Sequence, residues 1–342
     1  MNNKVLGIIG GGQLGMFTCI AAKKKGVKTI VFSTEPQFSA QKFCDNFIIS
    51  NFTNEKNIKT FFDSADYFTI ETENIPISFL KRIKKKKILP SLNVIEIAQN
   101  RLKEKIYLNS LSNIHTVKYS EINNYSDLEK SAKNFNFNCI LKTQEFGYDG
   151  KGQFKINQEN LNSFKTANLK NFILEEKINF KTEISIIAVG NSKHLVYYPP
   201  VENIHSNSIL RETIFPARVN NSIKNKAMKN AETISKDLKL NGVLAIEMFV
   251  TNNDQILINE LAPRPHNSGH WTIDSCKFSQ FDNLVSVITK EKVNQPEPMK
   301  NCRMINIIGN DYLEFNEISS KYRAYDYFKT KVRPSRKMGH YM

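Results

Sequence analysis

Tryptophan occurs once, at Trp271, and cysteine five times, at Cys19, Cys44, Cys139, Cys276 and Cys302. An odd count with wide spacing, no CxxC pair and no histidine at metal-ligand distance excludes a disulfide framework and a thiolate zinc site. Free thiols in a reducing compartment are expected, and with them a cytoplasmic location. Long hydrophobic runs are also missing: no stretch approaches the roughly 18 apolar residues that a spanning helix needs, so no membrane partner is expected. The opening MNNKVLGIIGGGQLG passes from a short apolar run into a glycine-rich turn without a small-residue cleavage site, which reads as a first strand rather than a signal peptide. Acidic residues are scarce beside basic ones, 33 against 48, for a formal charge of +15. Such a charge suits a polyanion. Outside residues 23–25 and 81–87, however, the basic residues are scattered among asparagine and isoleucine. That is a compositional bias on solvated faces, and no specific nucleic-acid partner is expected. No Ser-His-Asp or Cys-His nucleophile arrangement can be argued from spacing.

What is present is ample for globular cores: 342 residues, 40% of them apolar, enough for two or three domains. From Lys4 to about Leu89, short apolar strands (VLGIIG, TIVFS, NFIIS, YFTIE) alternate with amphipathic stretches, the pattern of a parallel sheet covered by helices. A break at Leu89-Pro90-Ser91 precedes a helical stretch with Arg101, Lys103 and Lys105. A compact α+β unit follows over about 115–174, with strands CILKT and FILEE flanking a glycine-rich loop. TEISIIAV, HLVYYPPVE, VLAIEMFV and QILINELA then suggest a largely antiparallel sheet, with a helix near Lys224–Leu238. Pro296 and Pro298 introduce a small C-terminal region. The expected division is residues 1–98, 99–295 and 296–342, and the expected class α/β together with α+β.

Five segments carry chemistry. Gly10-Gly11-Gly12-Gln13-Leu14-Gly15 satisfies GxGxxG after a strand, with Glu35 further on; this is a dinucleotide fingerprint and, more generally, a phosphate-binding helix start. Lys142 precedes a loop holding Gly147, Tyr148, Asp149, Gly150, Lys151, Gly152 and Gln153, a composition that wraps phosphates and can also be a plain hairpin. Glu247 and Glu260 lie in otherwise apolar strand candidates, where an unpartnered carboxylate is costly. With Asn259 they are candidate magnesium ligands, because that ion takes few carboxylates plus substrate phosphates. Glu175, Glu176, Lys177 and Ile178, followed by Glu183, can offer a backbone edge and a hydroxyl acceptor to a nucleoside, though acidic pairs are usually surface. Arg264, His266, Asn267, Ser268 and His270, packed around Pro263, Pro265 and Trp271, look built for an anionic small molecule.

In order, GGGQLG at Gly10, ETENIP at Glu71, GYDGKGQ at Gly147, NELAPRPHNSGHWT at Asn259, SQF at Ser279 and RPSRKMGH at Arg333 resemble the ATP-grasp superfamily and, within it, the N5-carboxyaminoimidazole ribonucleotide synthetase family, over nearly the whole chain. The resemblance implies an ATP-grasp fold with an N-terminal Rossmann-like (pre-ATP-grasp) domain, a lid subdomain at about 115–174 and a small β-rich C-terminal domain. It implies a ligase that uses ATP, Mg2+ and bicarbonate to carboxylate aminoimidazole ribonucleotide in purine biosynthesis, working as a homodimer. Arg101, Lys105, Lys142, the loop 147–153, Glu175 to Ile178, Glu183, His205, Asn259 and Glu260 are expected around ATP. Glu247, Glu260 and Asn259 are expected around the metal. Gly12, Gln13, Leu14, Glu71, Glu73, Tyr148, Arg264, His266, Asn267, Ser268, Lys329 and Arg336, with Lys331 as a further candidate, are expected around the ribonucleotide. Arg264, Tyr148 and Lys142 are the expected catalytic groups. Gln144-Glu145-Phe146, Thr72 and Ser335 depart from the family's usual residues. A formate-dependent glycinamide ribonucleotide transformylase is the nearest rival, and HNSGHW and RKMGH argue against it. A non-catalytic nucleotide-binding relative is the second rival, and retention of both candidate metal carboxylates counts against that.

Overall fold

Asparagine, a large part of the compositional bias, works here as a helix cap. Asn54, Asn100, Asn124 and Asn220 each accept a main-chain N–H from the first turn of the helix they precede, a contribution of about 1 kcal/mol per helix. In the computed structural model, which describes residues 4–84, 87–147 and 152–342, these helices pack on three sheets.

The first sheet is parallel: β1 (Val5–Ile9), β2 (Lys28–Ser33), β3 (Asn46–Ile49) and β4 (Tyr67–Ile70) stand in the order β3-β2-β1-β4. The helix Gln13–Lys24 starts directly after β1. The second sheet is antiparallel: β5 (Tyr119–Ile122), β6 (Cys139–Thr143), β7 (Gln153–Ile156) and β8 (Phe172–Glu176), ordered β5-β8-β6-β7. The strand β7, rich in polar residues, has no clear alternation and was not expected.

The third sheet spans the rest: β9 (Phe180–Asn191), β10 (His194–Tyr197), β11 (Val201–Ser206), β12 (Ile209–Phe215), β13 (Gly242–Thr251), β14 (Ile256–Ala262), β15 (Cys302–Ile308), β16 (Ala324–Asp326) and β17 (Lys337–Tyr341). The order is β14-β13-β9-β11-β12-β15-β17-β16, with β10 on β9. HLVYYPPVE, expected as one strand, divides at Pro199-Pro200 into β10 and β11, because proline has no N–H for a ladder. The C-terminal strands extend this sheet through β12–β15 pairing rather than forming a sheet of their own.

The three regions meet at Phe17. Its ring lies 5.2 to 6.1 Å from the rings of His270, Phe281, Tyr325, Tyr327 and His340, which come from the central and C-terminal regions. Tyr327 bridges His270 Nδ1 at 3.0 Å and His340 Nδ1 at 2.9 Å. Trp271 is fully buried and stacks on Phe215 with centroids 4.2 Å apart. This junction fixes the loop after β14 against both ends of the chain.

Candidate active site

The glycine-rich turn differs from its sequence reading. Gly12 N donates to Glu71 Oε1 at 2.5 Å and Gly15 N donates to Glu71 Oε2 at 2.9 Å, so a carboxylate of the same chain takes amides expected to face a phosphate. The glycines make room for it: a Cβ on Gly10, whose φ is +104°, would stand 2.3 Å from Glu71 Cγ, and one on Gly12 would stand 2.6 Å from Glu71 Oε1. The amide of Gly12 is therefore withdrawn from ligand binding, and the dinucleotide reading loses its pyrophosphate cradle. Burial raises the Glu71 carboxyl above its ordinary range, against the lowering effect of the two amides. Nearby, burial and the Arg336 guanidinium lower Lys329 to about 8. Lys329 and Arg336 are thus a cationic corner beside the turn, although neither lines the cavity described below.

The helix Arg101–Ser110 ties the second sheet to the third. Its cap Asn100 donates to Gln144 Oε1 at 3.3 Å and Glu145 Oε1 at 3.0 Å, and Arg101 donates to the carbonyls of Thr143 and Gly147, both at 2.9 Å. Gln144 and Glu145 are thereby held to this helix. One turn on, Lys105 Nζ donates to the Asn259 carbonyl and Glu104 Oε1 accepts Leu261 N, each at 2.7 Å. The pair clamps β14 on both sides of Glu260. Lys142 Nζ meets Glu175 Oε2 at 2.5 Å, with Lys105 Nζ 3.7 Å from the other carboxylate oxygen. Burial would raise Glu175, but the two lysines prevail and hold it at about 2. Its side chain is therefore committed to lysines, and residues 175–178 do not line the cavity; the amides of Glu176 and Lys177 bond Lys118 and Asn138 carbonyls.

Glu247 on β13 and Glu260 on β14 are Cα partners across the ladder. Burial and the Glu260 charge push the Glu247 carboxyl up to about 8, and burial with Glu260 does the same to Glu104. Such a group is short of positive charge. Among the described residues no three His, Cys, Asp or Glu converge as a metal cage; two carboxylates completed by phosphate oxygens are the arrangement magnesium favours. Arg264 grips Glu73 through Nε and Nη2. Burial opposes both charges, but their pairing keeps Glu73 below and Arg264 above its ordinary pKa. His266 Nε2 lies 3.4 Å from Glu247 Oε1, and burial with the Arg264 charge keeps the ring neutral, its pKa well below the usual value. His205 Nδ1 pairs with Glu183 Oε2; burial lowers His205, yet the Glu183 bond outweighs it and the net shift is upward.

One cavity of about 700 Å³ collects most of these groups. Gln13, Leu14, Glu71 and Glu73 enter it from the first sheet, and Arg101, Lys142, Gly147 and Gln153 from the second sheet and its helix. Glu183, His205, Glu247, Asn259, Glu260, Arg264, His266 and Asn267 enter it from the third. Gly12, Lys105, Gly152, Ser268, Lys329 and Arg336 stand off its wall. Tyr148, Asp149, Gly150 and Lys151 lie outside the described residues. Sequence reasoning missed Glu104, Lys337, Phe180 and Phe249 on the wall. Phe180 and Phe249 stack with centroids 4.6 Å apart. Glu104 had a signal: it follows Arg101 by three residues, which puts both on one helix face.

Family models match three consecutive parts of the chain: a ribonucleotide synthetase preATP-grasp domain over residues 3–99, an ATP-grasp domain over 108–281, and a phosphoribosylaminoimidazole carboxylase C-terminal domain over 302–342. The N5-carboxyaminoimidazole ribonucleotide synthase of Bacillus subtilis (strain 168) is 35% identical over 98% of this chain and 90% of its own. The crystal structure of N5-carboxyaminoimidazole synthetase from Staphylococcus aureus complexed with ADP superposes with a TM-score of 0.91 at 33% identity, covering 99% of this chain and 92% of that one. The Aspergillus clavatus N5-carboxyaminoimidazole synthase, in complex with ADP and 5-aminoimidazole ribonucleotide, gives 0.89 at 28% identity, covering 99% and 93%. With three domain models in sequence and a relative 35% identical over 98% of this chain, the chain belongs to the N5-carboxyaminoimidazole ribonucleotide synthase family of ATP-grasp ligases.

Proposed function

We propose that this cavity carboxylates 5-aminoimidazole ribonucleotide to N5-carboxyaminoimidazole ribonucleotide with ATP and bicarbonate, a step of purine biosynthesis. The observation that carries the reading is the meeting, in one cavity, of the Glu247–Glu260 pair with Arg264 and the wall of Gln13, Leu14 and Asn267. Asn267 adds a specific feature: its Oδ1 accepts Asn306 Nδ2 at 3.0 Å, while its own Nδ2 is buried without a partner among the described residues. An unpartnered buried donor is costly, and a ligand acceptor at that point would satisfy it.

Bicarbonate is a weak electrophile, so a bicarbonate oxygen first attacks the γ-phosphorus of ATP. The bond from that phosphorus to the bridging oxygen breaks, and ADP leaves as carboxyphosphate forms. The amine nitrogen of the ribonucleotide then attacks the carboxyl carbon, or carbon dioxide released from it in the pocket, with phosphate as leaving group and loss of the amine proton. Glu247, Glu260 and Asn259 would hold magnesium, which would supply charge neutralisation at the phosphates. Lys142 and Arg101 face the nucleotide phosphates, and His205 holds Glu183 toward the ribose. Arg264, kept cationic by Glu73, neutralises the carboxyl group as it forms. Gln13 and Leu14 face the 5'-phosphate, with Lys329 and Arg336 supplying positive charge from behind the turn. The enzyme works in the cytoplasm as a homodimer. Transfer of label from 13C-bicarbonate to the ribonucleotide, dependent on ATP, tests the reading, and ATP hydrolysis without label transfer would refute it.

A further inference from the structure

A buried line of hydrogen bonds crosses the third sheet and ends at the cavity. Thr213 Oγ1 on β12 donates to Asn203 Oδ1 on β11 at 3.2 Å, and Asn203 Nδ2 donates to Ser185 Oγ on β9 at 2.8 Å. Ser185 Oγ donates to Ser268 Oγ at 2.8 Å, and Ser268 Oγ lies 2.8 Å from His266 Nδ1. Thr213 and Ser268 are fully buried, and Ser185, Asn203 and His266 are no more than 9% exposed. Sheet register places the line: Thr213 is the Cα partner of Asn203, and Ser185 that of Glu247.

The line has a direction. The two ends of an amide are not interchangeable: NH2 only donates and the carbonyl only accepts. With Asn203 donating into Ser185, the Ser185 hydrogen goes to Ser268, and the Ser268 hydrogen goes to His266 Nδ1. The main-chain N–H of Ser268 also donates to Nδ1, at 3.3 Å. Two donors converge on Nδ1, which must then carry a lone pair, and the ring proton sits on Nε2, 3.4 Å from Glu247 Oε1.

The geometry points to Asn203 and Ser185 as positioning residues that hold His266 neutral with its Nε2–H toward Glu247, so that the ring orients this carboxyl group without adding a positive charge of its own. The inference rests on the reading of Glu247 as a magnesium ligand. An imidazolium at this place would neutralise the carboxylate and repel a divalent cation. The opposite tautomer would aim a lone pair at the carboxylate. Neutral donors behind metal-binding groups commonly change metal affinity by about 10- to 100-fold when removed.

Asn203→Asp keeps the size of the side chain but replaces its donor end with an acceptor. Ser185 then donates to the new carboxylate, Ser268 donates to Ser185, and the Ser268 oxygen turns a lone pair toward His266 Nδ1, which favours a proton there against the main-chain N–H of Ser268. Long-range 15N–1H spectra of the full-length protein, labelled at histidine and assigned with His266→Gln, read the tautomer directly. The wild type is expected to show an unprotonated Nδ1 and a protonated Nε2. Asn203→Asp is expected to shift the proton toward Nδ1 and to weaken Mn2+ binding in the presence of ATP by about tenfold or more. Ser185→Ala, which interrupts the line without reversing it, is expected to mix the two tautomers and serves if Asn203→Asp does not fold. Protonated Nδ1 in the wild type would overturn the line and leave the metal reading standing. Unchanged ring shifts and Mn2+ affinity in both variants would also overturn it. If Glu247→Gln binds Mn2+ and ATP as the wild type does, the metal reading fails, and the purpose assigned to the line fails with it, whatever the tautomer.

Discussion

The Glu71 carboxylate and the Gly12 amide form a 2.5 Å hydrogen bond, so the turn that reads in sequence as a phosphate cradle is closed by an acid from the end of β4. The glycines are needed for that close approach as much as for any ligand. Removing the acid leaves two amides without their acceptor. Glu71→Ala is expected to destabilise the protein by about 1 to 3 kcal/mol, read from urea unfolding midpoints. An unchanged midpoint would mean that water replaces the carboxylate at no cost.

The same reasoning, applied to charge, bears on the carboxylate pair. Glu260→Ala is expected to lower turnover by about 100-fold or more, the range for loss of a transition-state electrostatic contact, while the fold persists because Glu104 and Lys105 hold β14 by its backbone on either side. Turnover at saturating magnesium, with circular dichroism as the control, checks it. Near-normal activity would remove Glu260 from the metal site.

Arg264 and Glu73 form a forked ion pair, each side chain under one-fifth exposed. Breaking such a pair from one side strands the other charge. Glu73→Ala is expected to cost about 3 kcal/mol of stability and to reduce turnover. Glu73→Gln, which keeps an acceptor for the guanidinium, is expected to cost less. Equal losses in the two variants would contradict the ion pair as the cause.

Glu175 gives a pH dependence with a definite sign. Its folded pKa of about 2 lies below the ordinary 4.5, so its contribution to stability is fully present above about pH 4.5 and is lost as pH falls toward 2. The gap in unfolding midpoint between wild type and Glu175→Gln should therefore narrow over that interval. A gap independent of pH would show that Lys105 and Lys142 do not hold the carboxylate ionised.

Much of this arrangement was legible in the chain, for reasons that differ by segment. Glu247 and Glu260 stood out because an acid inside an apolar strand needs a partner, and the ladder sets them opposite each other. The parallel first sheet was legible because its apolar strands are bounded by turns. The role of the glycine turn was not, since its local pattern is indifferent to what fills it, and the filling group comes from 56 residues beyond Gly15. Strands β7 and β12 escaped because they mix polar with apolar residues and owe their place to neighbours in the sheet. Glu104 escaped because an acid in a polar helix is ordinary until packing buries it to 2% exposure. The line from Thr213 to His266 was beyond sequence altogether, as its members belong to three strands and a loop.

ADP release, measured with each substrate omitted in turn, tests the central claim most directly. The account predicts release that requires both bicarbonate and 5-aminoimidazole ribonucleotide at full rate. Equal release with glycinamide ribonucleotide and formate, or ATP binding with no ribonucleotide-dependent turnover, would contradict it.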